Sequence, residues 1–97
     1  MVKVKIRTIG PFAELLGFKE KEIEVQGNTV KDLMDGLKLL YGKELMERII
    51  DESKGEVKPF IKVLVNGIGI DALSMLNTEL KDGDVVAIFP PVGGGTL

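Results

Sequence analysis

The residues best suited to chemistry in this sequence form its last segment, which reads F-P-P-V-G-G-G-T-L over residues 89–97. Proline fixes φ and cannot donate a hydrogen bond to a neighbouring strand, so Pro90-Pro91 favours an extended path. Glycine has no Cβ, so such a segment can thread a narrow channel and present its terminal carbonyl without steric hindrance. We therefore predict a domain over residues 1–89 and a flexible tail over residues 90–97. The tail consists of Pro90, Pro91, Val92, Gly93, Gly94, Gly95, Thr96 and Leu97.

The composition excludes most kinds of side-chain catalysis. Histidine and cysteine are both absent, which removes imidazole bases, thiolate nucleophiles, disulfides and the usual ligands of zinc and copper. We therefore expect no bound metal and no bound cofactor. The chain carries 13 basic and 15 acidic residues with their signs interspersed, whereas a nucleic-acid binder concentrates positive charge on one face. Nucleic acid is therefore not an expected partner.

The distribution of apolar residues indicates a single globular domain. The chain has 97 residues, and no apolar run approaches the ~20 residues of a membrane span. Its N-terminus alternates apolar and basic residues over residues 1–6, without the continuous apolar stretch of a signal peptide. We expect a cytoplasmic protein that has no membrane partner.

Hydrophobic periodicity and local capping signals predict the secondary structure. Thr29 can cap a helix, with Asp32 placed three residues later as in a capping box, and Gly42 is the expected stop. The predicted apolar stripe of this helix consists of Val30, Leu33, Leu37, Leu40 and Tyr41. The remaining predicted elements are strands at 2–7, 21–25, 60–65 and 85–89, helical pieces at 12–17 and 43–50, and a loop at 51–56.

Two turn signals complete the topology. Asn66-Gly67 is typical of a type I′ hairpin turn, in which both central residues need positive φ, and Lys81-Asp82-Gly83-Asp84 is ordinary turn chemistry. Two strands, a crossover helix and further strands predict an α+β domain. The order favours a β-grasp, in which a mixed sheet packs on one main helix.

Three apolar residues fall on the polar sides of their strands. Ile9 shares a parity with the basic residues of the first strand, Leu64 lies opposite the inward residues of the third, and Phe89 opposite those of the last. One interpretation is a second small core that the Ile68–Ile70 segment covers. The other is an exposed patch that docks a partner. The pattern alone does not choose between them.

Several motifs of this chain together resemble a known family. The run from Leu80 to Gly95, which contains F-P-P-V-G-G-G, resembles the ending of the small subunit of molybdopterin synthase, also called molybdopterin-converting factor subunit 1. The segments Phe12–Gly17 and Val65–Gly67 are similar to its early and middle motifs. The resemblance covers nearly the whole chain and places it with the MoaD/ThiS ubiquitin-like sulfur carriers.

This resemblance implies a ubiquitin-like β-grasp protein that carries sulfur and is catalytic only as part of a sulfurtransferase complex. An adenylating enzyme would use ATP to activate the terminal glycine, and a sulfur donor would convert it to a thiocarboxylate. The tail would then enter the large subunit of molybdopterin synthase and supply sulfur for the dithiolene of the molybdenum or tungsten cofactor. Gly94-Gly95 matches the family's diglycine. Ile9, Leu64 and Phe89, with Ile68 nearby, match or adjoin its partner-facing surface.

The sequence departs from the family's pattern after the diglycine. Thr96 and Leu97 follow Gly95, which therefore has no free carboxylate. We predict that a protease removes these two residues. The alternatives are two residues foreign to the natural chain, or a carrier that is never activated.

Two other functions use the same fold. A ubiquitin-like modifier would use the same activated glycine to form isopeptide bonds with lysines of target proteins, and lysine-linked conjugates in cell extract would identify it. A plain interaction module would keep its function when Gly94-Gly95 is deleted, whereas a carrier or a modifier would lose it.

Overall fold

The computed structural model describes residues 1–90. These residues form seven strands, three α-helices and two 3₁₀ turns, at Ile70–Ala72 and Met75–Asn77. The strands are β1 (Val2–Thr8), β2 (Glu20–Val25), β3 (Ile50–Asp51), β4 (Glu56–Val57), β5 (Lys62–Val65), β6 (Ile68–Gly69) and β7 (Val85–Phe89). The helices are α1 (Pro11–Leu16), α2 (Val30–Tyr41) and α3 (Lys43–Ile49).

One mixed sheet carries the fold, with strand order β2-β1-β7-β5-β6. The first and last strands, β1 and β7, run parallel side by side in its middle, and the other pairs are antiparallel. The inward residues of the sheet pack against α2 and α3 in one buried cluster. Val4, Ile6, Val86 and Ile88 are fully shielded from solvent at its centre. This architecture is the mixed sheet on one main helix that the sequence predicts.

The buried stripe of α2 differs in part from the predicted one. Val30, Leu33 and Leu37 are buried as expected, and Met34 joins them, whereas Leu40 is 63% exposed. At 3.6 residues per turn, Leu40 lies roughly 70° from the centre of the stripe that the buried residues define. The prediction for Leu40 was therefore wrong because helical spacing alone does not fix the width of the buried face.

The predicted capping box at the start of α2 is present. The Asp32 N–H donates to Thr29 Oγ1 at 3.1 Å, and the Thr29 N–H donates to Asp32 Oδ2 at 3.2 Å. The Asn28 N–H donates to the same carboxylate oxygen at 3.1 Å. Hydrogen bonds from the Thr29 side chain and the Asn28 backbone hold the pKa of Asp32 below its ordinary value. The helix ends before Gly42, as predicted.

Two predicted boundaries were wrong. The expected loop at 51–56 contributes its end residues to a small hairpin, in which Ile50 pairs with Val57 and Asp51 with Glu56. The third strand of the prediction begins at Lys62 rather than at Phe60, because the Ile61 N–H closes a turn onto the Lys58 carbonyl at 3.0 Å. The polar composition of residues 51–56 had predicted a loop, and the apolar residues Phe60 and Ile61 had predicted the start of a strand.

The two predicted turns meet at one end of the sheet. Asn66 has φ 52° and Gly67 has φ 85°, as a type I′ turn requires. The Asn66 side chain accepts the Val85 N–H at 2.9 Å through Oδ1 and donates to Asp84 Oδ1 at 3.0 Å through Nδ2. The first residue of β7 is thereby tied to the hairpin, which sets the register of the strand that leads into the tail.

Candidate functional site

The outer face of the sheet, on the side opposite α2, carries the first set of candidate residues. Strand pairing sets Leu64 directly opposite Ala87, and Ala87 directly beside Arg7. Leu64 and Ala87 are half-buried and lie outside the buried core cluster. With Val85 and Phe89 they form an apolar strip along β7 and β5. The Leu64 side chain therefore belongs to the outer face, as strand parity predicts.

The apolar strip ends at the last residue of β7. Phe89 is half-buried and pairs with Lys62. Ile9 lies one residue beyond the last pair of β1 and β7, so the continued register places it beside Phe89, and it is 46% exposed. The structure thus brings Ile9, Leu64 and Phe89 to one face, with Phe89 and Ile9 nearest the tail.

Beside the apolar strip, basic side chains of β1 lie opposite acidic side chains of β2. The register sets Lys3 opposite Glu24 and Lys5 opposite Glu22, so a basic strand lies next to an acidic one. Glu20 accepts from Arg7 Nε at 3.2 Å and lies 3.8 Å from Lys5 Nζ. These cations are largely compensated within the sheet, so the outer face does not present a continuous basic surface.

Ile68 does not join the other predicted partner-binding residues. It pairs with Val65, whose side chain is buried on the helix side of the sheet, and directly opposed residues of an antiparallel pair share a face. Its side chain is half exposed at the edge of the sheet, on the side opposite Leu64. Gly69 is the β6 residue that lies beside Leu64.

The root of the tail lies in a groove. Pro90 is buried, and a Cβ placed on Gly10 would lie 3.7 Å from Pro90 Cγ. Gly10 has φ 59°, which favours glycine at this close approach. We call the groove of about 420 Å³ around Pro90 the tail-root groove. It is lined by Pro11, Phe12, Arg48, Lys58, Phe60, Ile61 and Pro90.

Phe60 was not among the predicted site residues, although it is 70% exposed. Its parity with Lys62 and Leu64 was the available signal, because an apolar residue on the polar side of a strand is expected to be accessible. The residue lies in the turn before β5 rather than in the strand. The burial of Pro90 had no local sequence signal.

The remaining tail residues lie outside the part that the structure describes. These are Pro91, Val92, Gly93, Gly94, Gly95, Thr96 and Leu97. Within residues 1–90, no group of three acidic side chains is arranged to hold a metal ion, and no helix is long and apolar enough to cross a membrane. Hydrogen bonds from Thr29 lower the pKa of Asp32 and those from Ser53 lower the pKa of Asp51, and neither residue lines the tail-root groove.

This arrangement places an apolar surface beside the base of the tail. The side chains around the tail root supply a half-buried apolar strip, an exposed phenylalanine and two cations. None of them is an imidazole or a thiol. What these side chains offer at the tail root is apolar contact and positive charge.

Comparison with known proteins identifies relatives along most of the chain. The model of the ThiS family matches residues 6–95. Small archaeal modifier protein 3 of Haloferax volcanii is 38% identical over 95 residues, which are 97% of this chain and 100% of that one. Sulfur carrier protein CysO of Mycobacterium tuberculosis is 31% identical over 77 residues, 78% of this chain and 82% of its own.

Solved structures confirm the predicted β-grasp fold. A Pyrococcus furiosus protein provisionally assigned as subunit 1 of a molybdopterin converting factor has a TM-score of 0.71 to this chain at 35% identity. The match covers 95% of this chain and 100% of that one. The described sheet and helices are therefore those of an established fold, and the relatives' names divide between sulfur carriage and protein modification.

Proposed function

This chain belongs to the ThiS family, and on that basis we propose that it is a sulfur carrier that works through Gly95. In the proposed cycle, the Gly95 carboxylate attacks the α-phosphorus of ATP on an adenylating enzyme and releases pyrophosphate. Hydrosulfide released by a sulfur donor then displaces AMP and leaves a thiocarboxylate. The thiocarboxylate sulfur bonds to the acceptor, and water cleaves the resulting thioester, which leaves the sulfur on the acceptor and returns the Gly95 carboxylate. The absence of cysteine and histidine is consistent with this chemistry, because the carrier contributes no side chain to it.

The observation that carries the proposal is the continuity between β7 and the tail. The Asn66 side chain and the pairing with β1 and β5 fix β7 in register, so Phe89 and Pro90 hold the base of the tail at one end of the sheet. Gly95 lies five residues beyond Pro90, which allows a reach of about 17 Å at ~3.3 Å per residue. A rigid body with a narrow chain end of that length suits delivery into another protein's active site.

We further propose that the large subunit of molybdopterin synthase is the enzyme that binds the molecule accepting the sulfur. The motif around F-P-P-V-G-G-G and the likeness to the Pyrococcus furiosus protein support this choice. The apolar strip with Leu64 and Phe89 is the surface on which such a subunit would dock, with Ile9 beside it. Sulfur would then enter the dithiolene of a molybdenum or tungsten cofactor.

Protein modification is a second candidate function. The 38% identity to small archaeal modifier protein 3 over the whole of that chain specifically favours it. The same Gly95 acyl adenylate would be attacked by a lysine amine of a target protein, with AMP as the leaving group and an isopeptide bond as the product. The two functions share activation and differ only in the nucleophile.

Both functions require a free carboxylate at Gly95, so we propose that Thr96 and Leu97 are removed in the cell. The test is the intact mass of the protein isolated from its native cell. A mass ending at Gly95 with one oxygen replaced by sulfur is the expected result. An unmodified mass that retains Thr96-Leu97 would contradict both trimming and carriage, and lysine-linked conjugates without any thiocarboxylate would establish modification instead.

A further inference from the structure

We propose that the tail-root groove is a second docking site, which holds an apolar side chain flanked by carboxylates on the adenylating enzyme. The inference rests on the proposed function only in that Gly95 is activated by such an enzyme. It applies equally to a sulfur carrier and to a modifier, because both are activated in the same way.

The first argument is the position of the groove. Pro90 forms part of its wall, and the tail continues directly from that residue. An enzyme that encloses the tail as far as Gly95 has the mouth of its channel at Pro90, so the rim of that mouth lies against the groove. The apolar strip on the outer face is a separate surface, because none of its residues lines the groove.

The second argument is the exposure of one aromatic side chain. Phe60 is 70% exposed at the edge of the groove, while Phe12 inside the groove is buried. Aromatic side chains that are exposed in the free protein and beside a concave apolar surface are frequent anchors of interfaces. Binding there would bury Phe60 together with Pro11, which is exposed as well.

The third argument is charge. Arg48 and Lys58 are the charged residues of the groove, and both are cations. Arg48 Nη2 lies 3.5 Å from Glu44 Oε2, an exposed pair that a partner can replace, and Lys58 makes no ion pair within residues 1–90. The Lys58 backbone N–H donates to the Ile49 carbonyl at 2.8 Å, which fixes the backbone position from which this side chain extends. The complementary partner carries carboxylates.

The test is ATP–pyrophosphate exchange by the adenylating enzyme of the source organism, measured against the concentration of the chain ending at Gly95. Truncation at Gly95 leaves residues 1–90 intact, and equal melting temperatures of the full and truncated chains verify this. Phe60→Ala is expected to raise KM about tenfold with kcat within about twofold, in the range of an interface anchor. Leu39→Ala is the matched control, because Leu39 is 88% exposed on α2 outside the groove, and its KM is expected to stay at the wild-type value.

The double variant Arg48→Glu, Lys58→Glu tests the charges independently of Phe60 and replaces only side chains that are not core residues. Its KM is expected to rise by a similar factor. The KM of the wild type should increase with ionic strength, whereas that of the double variant should not.

The outcomes separate the two proposals. If the wild type supports no exchange, the proposed function fails. If the wild type supports exchange, but Phe60→Ala and the charge variant keep KM within about twofold of the Leu39→Ala value, the tail-root groove is not a docking site. The proposed function would then stand. A loss confined to kcat also refutes the docking site, because a docking contact acts on KM.

Discussion

Replacement of Asn66 tests how the hairpin turn fixes the strand that leads into the tail. In Asn66→Ala, the Val85 N–H loses its bond to Oδ1 at 2.9 Å, and Asp84 loses its bond to Nδ2. The first loss costs about 1 kcal/mol, and the second adds little because the pair is exposed. Alanine at φ 52° costs about 1 to 2 kcal/mol more. The expected loss in the free energy of unfolding is therefore about 2.5 kcal/mol.

Asn66→Gly is the matched variant that separates the two causes. Glycine also lacks the side-chain hydrogen bonds, but it adopts positive φ without steric cost and loses only about 0.5 kcal/mol through the greater freedom of the unfolded chain. Its expected loss is about 1.5 kcal/mol. For a domain of this size, each kcal/mol corresponds to about 4–8 °C in Tm, so the alanine variant should melt several degrees below the glycine variant.

The assay is urea unfolding followed by circular dichroism at 222 nm, since the chain has no tryptophan and a single tyrosine for fluorescence. Equal losses in the two variants would show that the positive φ of Asn66 carries no strain for alanine. Losses below about 0.3 kcal/mol in both would refute the role of the Asn66 side chain in holding Val85. The second result would remove the contribution of the Asn66 side chain to the fixed register of β7.

Four further predictions concern the capping box, the core and the apolar strip. Thr29→Ala should lower stability by about 1 kcal/mol in urea unfolding. Hydrogen bonds from Thr29 and Asn28 lower the pKa of Asp32 in the folded chain. The stabilising contribution of the Asp32 carboxylate is therefore complete above about pH 4 and is lost as the pH falls through the folded-state pKa. The difference in free energy of unfolding between wild type and Asp32→Asn should accordingly narrow in that acidic range and stay constant near neutral pH. Leu37→Ala, at a fully buried site, should cost about 2–5 kcal/mol, and a smaller loss would mean that the core collapses around the cavity. Leu64→Lys should change Tm by only a few degrees, yet it should raise the carrier concentration at which the rate of sulfur transfer is half-maximal. An unchanged half-maximal concentration would exclude the apolar strip as a docking surface.

The sequence predicted the elements that local chemistry determines. Thr29 and Asp32 form a capping box whatever the helix packs against, and Asn66-Gly67 requires a turn that few other dipeptides support as well. The order of elements along the chain, which favours a β-grasp, followed from these anchors and from the period of the apolar residues. Ile9, Leu64 and Phe89 were placed on one face by parity alone, and the register agrees.

The errors fall where tertiary packing decides. Leu40 has helical spacing but projects past the surface that α3 and the sheet cover, so it is exposed. Ile68 was grouped with Leu64 through the family resemblance, and the two-residue hairpin places it on the other face, so its part in partner binding stays a prediction. Phe60 is hydrophobic but lies in a turn, and its exposure depends on Lys58 and Ile61 closing that turn. The choice between sulfur carriage and modification was not predictable, because both use the same tail and differ in the attacking nucleophile.

The central position of β7 has a consequence for when the tail becomes usable. Lys5 pairs with Val85, eighty residues later, so the middle of the sheet is completed only when the last of the described strands is in place. Folding that depends on such distant contacts is slow, and a shortened chain without β7 lacks both the tail and the strand that joins β1 to β5. The strand whose pairing completes the sheet is therefore the same strand that carries the tail. An enzyme that needs the folded surface as well as the tail would act on finished molecules and ignore incomplete ones.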